Sequence, residues 1–225
     1  MKFHLVSAHF GGKPPWKHKL ISKVNDVSTN YYHDNNTPPR HLSMHPRLKS
    51  KIPKMLEWKL VDSDWYIWAD SSIRLNDIDI TEIIKETAKD NPLCLFKHTK
   101  ASSIAEEVNS VRAQIKVKNK YFTQRYEGEP LINQLAYYYG DPDFIDDKLF
   151  SMTFFAYKRE AISLMKEWFI HNTIWSIEDQ ISFPYLLQKS GLKYALFNGT
   201  ILDNTEIFNW DWNTRENHFS EIGEN

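Results

Sequence analysis

A single cysteine among 225 residues sets the first limit. Cys94 stands inside the apolar run Leu93-Cys94-Leu95-Phe96. One thiol excludes an intrachain disulfide and a cysteine-based zinc cluster, and it fits a reduced compartment. Charge of one sign is also lacking, because 28 Lys and Arg face 29 Asp and Glu. No global field therefore draws nucleic acid or an anionic membrane, and any anion site must be local. No apolar run approaches the ~20 residues needed to span a bilayer. Met1-Lys2-Phe3-His4-Leu5-Val6 is too short and too interrupted for a signal-peptide core. These absences predict a soluble, cytoplasmic chain with no transmembrane segment and no nucleic-acid partner. There is no Walker loop and no G-x-G-x-x-G fingerprint. Gly11 and Gly12 with Lys13 read as a glycine turn closing a strand more readily than as a phosphate loop. Internal repeats and long low-complexity linkers are missing as well.

What is present suffices for a core: 41% of residues are hydrophobic, which argues against wholesale disorder. The length predicts one large domain. Aromatics reach 14%, with 8 Trp and 11 Tyr, and most are expected inside. Strands are predicted at Phe3 to Ala8, Val27 to His33, Trp65 to Trp68, Ile73 to Leu75, Leu93 to Lys97, Ser151 to Tyr157 and Tyr194 to Phe197. Helical spacing covers Trp16 to Val24, Leu48 to Leu60, Ile80 to Lys89, Ser102 to Ile115, Leu131 to Tyr139, Glu160 to His171 and Ser176 to Ser190. Pro53 is expected near the beginning of its helix or as a break in it. Ser103 and Glu106 have capping-box spacing, and Gly191 reads as a helix stop.

Candidate chemistry begins at Trp65-Tyr66-Ile67-Trp68-Ala69-Asp70-Ser71-Ser72, where an interior strand runs into an acidic, hydroxyl-rich turn. Ligands of open α/β sheets bind outside the carboxyl ends of strands, which makes Asp70 a candidate for a metal or a phosphate-bearing ligand. An Asx-turn or helix cap is the alternative. The segment Arg40-His41-Leu42-Ser43-Met44-His45-Pro46-Arg47-Leu48-Lys49 concentrates five basic or imidazole side chains, as a diphosphate would require, although a solvated helix start has the same composition. Asp77-Ile78-Asp79 has D-x-D spacing, but its place before a helix favours capping over a metal. Lys97 and His98 sit at a strand end. Lys116, Lys118, Lys120 and Arg125 form a basic patch without a definite partner. Glu178 and Asp179 open a helix, which suits capping as well as catalysis.

His45-Pro46-Arg47, the aromatic strand ending at Asp70-Ser71-Ser72, and Asp179-Gln180-Ile181-Ser182-Phe183-Pro184-Tyr185 occur in an order that resembles a GT-A-type glycosyltransferase-like family, once known only as a domain of unknown function. The resemblance spans most of Arg40 to Leu187. It implies an α/β fold with a Rossmann-type central mixed sheet, mostly parallel, flanked by helices. It also implies a nucleotide-binding part near residues 1–100 and an acceptor and catalytic part near 101–225. The activity implied is metal-dependent transfer of a sugar from a UDP-type donor to a carbohydrate acceptor, in glycan synthesis. Asp179, with Glu178 second, would take the acceptor proton in an inverting reaction, or Asp179 would position the donor in a retaining one. Ser7, Ala8, His9, Arg40, Arg47, Lys97 and Asp70 are the donor candidates, and Trp175, Trp210 and Trp212 the acceptor candidates. Mn²⁺ or Mg²⁺ would rest on Asp70, Ser72 and His218. Ser72 replaces the second carboxylate of a D-x-D, so it brings a hydroxyl without full charge. The incomplete D-x-D and the Trp-rich tail leave two alternatives, a non-catalytic carbohydrate- or nucleotide-binding module and a metal-dependent hydrolase using the same carboxylates.

Overall fold

The computed structural model of the chain describes residues 1–11, 27–36, 44–202 and 206–210. The expected helix over Trp16 to Val24, together with Lys13, Arg40, Trp212 and His218, lies outside the described residues.

Strand β1 (Phe3–His9) pairs in parallel with both β2 (Val27–His33) and β3 (Trp65–Ala69). Beyond β3 the sheet continues through antiparallel β6 (Phe150–Lys158), then β5 (Leu93–Lys97) and β7 (Ala195–Leu196), in the order β2-β1-β3-β6-β5-β7. Five strands thus share one direction and β6 alone opposes them. Short strands β4 (Ile73–Leu75) and β8 (Phe208–Trp210) form a separate antiparallel pair. The helices are α1 (Pro46–Leu56), α2 (Ile80–Ala88), α3 (Ile104–Lys116), α4 (Lys120–Tyr126), α5 (Leu131–Tyr139), α6 (Ile162–Ile174) and α7 (Asp179–Ser190). This is the mixed, mostly parallel α/β sheet flanked by helices. Strand β6, from the second half of the chain, lies between β3 and β5 of the first half.

Strand alternation explains where the core sits. Along β3, Trp65 and Ile67 face a core shared with Phe3, Leu5, Ile80 and Ile84. Tyr66 and Trp68 face the opposite core, with Met55, Phe155, Trp168 and Phe183. A strand covered on both sides reads as a continuous apolar run, as Trp65 to Ala69 does. Helix α1 starts two residues earlier than its spacing suggested, because His45 accepts a hydrogen bond from the Arg47 amide at 3.2 Å and Pro46 occupies the first turn. Pro53 lies inside α1 and does not break it. Gly11, at φ +79°, packs so closely that a Cβ would come within 2.9 Å of Pro46 Cγ. Helix α4 and strand β8 were not expected, since neither has a clear apolar period.

The far end of α1 is anchored to the sheet by a buried polar knot. Glu57, the residue after the helix, is fully buried. Its Oε1 lies 2.8 Å from His4 Nε2, and it accepts from Asn30 Nδ2 at 2.7 Å and from the Tyr32 hydroxyl at 3.1 Å. The other His4 nitrogen lies 2.8 Å from Ser28 Oγ. Strands β1 and β2 therefore fix the axis of the helix that carries the basic residues described below. His4→Ala should destabilise the fold by about 3 kcal/mol, the upper end for a buried hydrogen bond to a charged group. Urea unfolding measures this, and a loss below about 1 kcal/mol would mean that Asn30 and Tyr32 hold Glu57 unaided.

Candidate active site

The C-terminal ends of β1 and β3, the first turns of α1 and α7, and α4 enclose a cleft of about 420 Å³. That volume falls within the range of small-molecule sites, roughly 300–1,000 Å³. Asp70 enters from the end of β3, held in place by its amide bonded to the Thr153 carbonyl of β6 at 2.8 Å. Its Oδ1 accepts from the Trp68 indole at 2.7 Å. From α1 come Arg47, Lys51 and Lys54, spaced i, i+4 and i+7 so that one helix face presents all three.

At the start of α7 lie Glu178 and Asp179, only 4% and 6% exposed. The loop before them is tied down from two directions. Ser176 Oγ donates to Gln134 Oε1 at 2.6 Å, and the Ile177 amide donates to Glu129 Oε2 at 3.0 Å. Trp168 of α6 then donates its indole N–H to the Asp179 carbonyl at 3.0 Å. Glu178 is the helix N-cap, accepting from the Gln180 amide at a long 3.5 Å. Both carboxylates also benefit from the positive end of the α7 dipole.

One carboxylate oxygen, Asp179 Oδ2, receives both Lys51 Nζ at 2.5 Å and Lys54 Nζ at 2.6 Å. Lys54 Nζ also lies 3.9 Å from Asp70 Oδ1. Three aromatic faces surround that ammonium: Trp68 at 5.3 Å, Trp168 at 5.7 Å and Phe155 at 5.9 Å from centroid. Burial alone would raise the pKa of Asp179, but the charges and hydrogen bonds of Lys51 and Lys54 overcome it and hold the carboxyl well below the usual range. Burial pushes Glu178 the other way, upward, and the adjacent Asp179 charge adds to the rise against a hydrogen bond from Tyr126. Burial lowers the Lys51 pKa against the pull of Asp179. Asp70 has a side chain 36% exposed to the cleft. Its pKa is raised by burial and by Asp179, while Lys54 opposes the rise.

Of the residues expected at the site, Ala8, His9, Arg47, Asp70, Ser72, Glu178, Asp179 and Trp210 line the cleft. Three do not. Ser7 is buried within β1, on a position that does not reach the rim. Lys97 ends β5, two strands from β3 and so roughly 10 Å along the sheet. Trp175 turns away and packs its ring 5.1 Å from Tyr137 of α5. The D-x-D at Asp77 to Asp79 does not line the cleft, and Asp79 caps α2 through the Thr81 and Glu82 amides at 3.0 and 3.2 Å. Sequence reasoning missed Lys51, Lys54 and Tyr126, and it left Arg125 without a partner surface. The available signal was the basic stripe at helical spacing on α1.

The sequence pattern of the TOD1/MUCI70 glycosyltransferase-like domain matches residues 40–204, most of the chain and all of the cleft's acidic and lysine residues. The chain belongs to this family. A crystal structure of a glycosyltransferase involved in glycosylation of the major capsid of PBCV-1 superposes with a TM-score of 0.50 at 10% identity, covering 88% of this chain and 81% of that one. That likeness concerns the fold, which is GT-A-like. CMP:2-keto-3-deoxy-manno-octonic acid synthetase complexed with CTP is similar at a TM-score of 0.42 and 12% identity, over 88% and 89% of the two chains. No curated protein sequence matches.

The donor set around Asp70 bears on the Mn²⁺ or Mg²⁺ that such a fold implies. Among the described residues, no three His, Cys, Asp or Glu side chains converge to hold an ion. Asp70 Oδ1 already accepts from Trp68, Ser72 offers a hydroxyl without charge, and both Asp179 contacts are lysines. A divalent ion on Asp70 would also sit near the Lys54 ammonium, where each unit charge at ~4 Å is repelled by about 4 kcal/mol in an effective dielectric of 20. Among the described residues, Lys54 therefore competes with any divalent cation for Asp70.

Removing the central carboxylate strands two buried ammonium groups. Asp179→Asn should cost about 3–5 kcal/mol of stability, the range for breaking a buried ion pair from one side. The same residue sets an acid limb. Its folded pKa lies below the unfolded value of ~3.9, so its stabilisation is complete at neutral pH and is lost as pH falls below about 4. Urea unfolding from pH 7 to pH 3 should show that limb in the native chain and a flatter one in the variant. Equal limbs would place the acid sensitivity elsewhere.

Proposed function

We propose that this domain transfers a sugar from a nucleotide-sugar donor of the UDP type to a hydroxyl of a carbohydrate acceptor. The observation that carries the reading is the pairing, in one cleft, of clustered cations with two adjacent buried carboxylates, of which Asp179 takes both lysine contacts. Arg47, Lys51, Lys54 and Arg125 line it against Asp70, Glu178 and Asp179, an excess of one positive charge that suits an anionic ligand. Membership of a glycosyltransferase-like family agrees with that chemistry.

The reaction read from these groups is a single displacement. The acceptor oxygen forms a bond to the anomeric carbon as the bond from that carbon to the diphosphate oxygen breaks. The electron pair of the broken bond stays on the diphosphate, and the anomeric centre passes through an oxocarbenium-like state. Fixed cations, Arg47 among them, meet the charge that gathers on the departing diphosphate. The acceptor proton goes to a carboxylate of the cleft.

Between the two acidic residues, Glu178 is the better base. A carboxylate raised in pKa accepts a proton more readily near neutral pH, whereas Asp179 is held deprotonated by two lysines and is a weak base. Asp179 is then a positioning residue, fixing Lys51 and Lys54. Trp210 at the rim offers an apolar face to an acceptor ring.

Glu178→Gln should retain donor binding and lower transfer by roughly 10²–10⁴-fold, the usual yield of a general base. Acceptor-dependent release of UDP measures transfer, and calorimetry measures binding. Turnover within a few-fold of the native rate would return Glu178 to helix capping alone. Product anomeric configuration by NMR checks the single displacement, since retention would remove the base role.

A further inference from the structure

The cleft puts lysine where the fold would lead one to look for a metal. We infer that Lys54, supported by Lys51, is the cation that meets the diphosphate, so that this site binds a nucleoside diphosphate without a divalent ion. The inference rests on the nucleotide-sugar reading above and specifies its phosphate subsite.

Three independent features of Lys54 support it. The ammonium lies beside the strand-end carboxylate, 3.9 Å from Asp70 Oδ1, the position from which a GT-A-like sheet presents its ligand-binding group. It is enclosed by Trp68, Trp168 and Phe155, whose ring faces attract a cation without consuming its N–H donors. It is also immobilised, because Asp179 and the aromatic walls leave the side chain only 5% exposed while Lys54 still lines the cleft. An ammonium has three donors, and Lys51 and Lys54 each give one to Asp179 Oδ2. Among the described residues neither ammonium gives a further hydrogen bond, and both lysines line the cleft.

Charge counting favours the same arrangement. A divalent ion at this strand end would rest on one or two carboxylates and the substrate phosphates, but Ser72 offers no charge and Lys54 already brings a positive charge to Asp70. The result is a fixed cation, already desolvated and oriented before the ligand arrives. Such preorganised charge is worth most where charge develops in the transition state.

Calorimetry with UDP, GDP and inorganic pyrophosphate, first in EDTA and then with Mn²⁺, tests the inference. At least one of the three should bind in EDTA, and Mn²⁺ should change its Kd by less than about threefold, under 1 kcal/mol. Lys54→Gln should weaken metal-free binding by about tenfold or more, as loss of a charge-assisted contact does. Circular dichroism reports whether that variant folds. If it does not, the triple variant Lys51→Gln, Lys54→Gln and Asp179→Asn, which leaves no member of the triad charged and unpaired, is used, and the same loss is expected. Binding that requires Mn²⁺ would overturn the lysine inference and leave the nucleotide-sugar reading standing. Unchanged metal-free affinity in the folded variant would overturn it as well. No binding by any of the three, with or without Mn²⁺, would remove both.

Discussion

The ion triad of Asp179 with Lys51 and Lys54 is the constraint on which the site depends. It joins the first turn of α7 to the middle of α1 across the cleft floor, between residues 125 and 128 positions apart in the chain. Buried charges of this kind are costly unless paired and hydrogen-bonded, so the two helices can approach only in the register that satisfies all three groups. An apolar core of similar volume would often be as stable. The triad is therefore better explained by what it presents to the cleft than by stability. Its support is correspondingly elaborate: Trp168 holds the Asp179 backbone, and the Glu57 knot fixes the end of α1.

That arrangement also separates two neighbouring carboxylates. Glu178 and Asp179 are consecutive, both buried and both at a helix start, so composition alone gives them one character. Their surroundings do not. Both lysines bond Asp179, while Glu178 has burial and the repulsion of its neighbour set against a hydroxyl, the Lys51 charge and a long contact to an amide. The proposed reaction uses that difference as a division of labour, one fixed anion and one proton acceptor. Capping and catalysis, which compete as sequence explanations, both fall to Glu178 under the proposed reaction, and the capping contact is the one in place.

Much of the fold was legible because it follows from period and punctuation. Strands β2, β4 and β5 and helix α5 have the bounds their sequences suggested, and Gly191 stops α7 in the left-handed conformation at φ 65°. What was not legible depends on contacts between distant segments. Pro53 was expected to start or break a helix, yet the buried packing of α1 tolerates it in the interior. Lys97 and Trp175 sit at plausible places along the chain and face away from the cleft, because sheet order and helix rotation are tertiary facts. Lys51 and Lys54 take their place in the site only because α7 is laid across them. The basic stripe was visible; its burial was not.

Strand alternation then links the opening aromatic run to the chemistry of the site. Within Trp65 to Asp70, the residues that face α1, α6 and α7 are Tyr66 and Trp68. Trp68 supplies both a wall against Lys54 and the N–H that fixes Asp70. A one-residue slip in the pairing of β3 would turn that indole to the other core and leave Lys54 without a wall and Asp70 without its donor. The aromatic strand and the carboxylate that ends it are thus parts of a single device. The same strand that builds the core also sets where the cation and the anion of the cleft can stand.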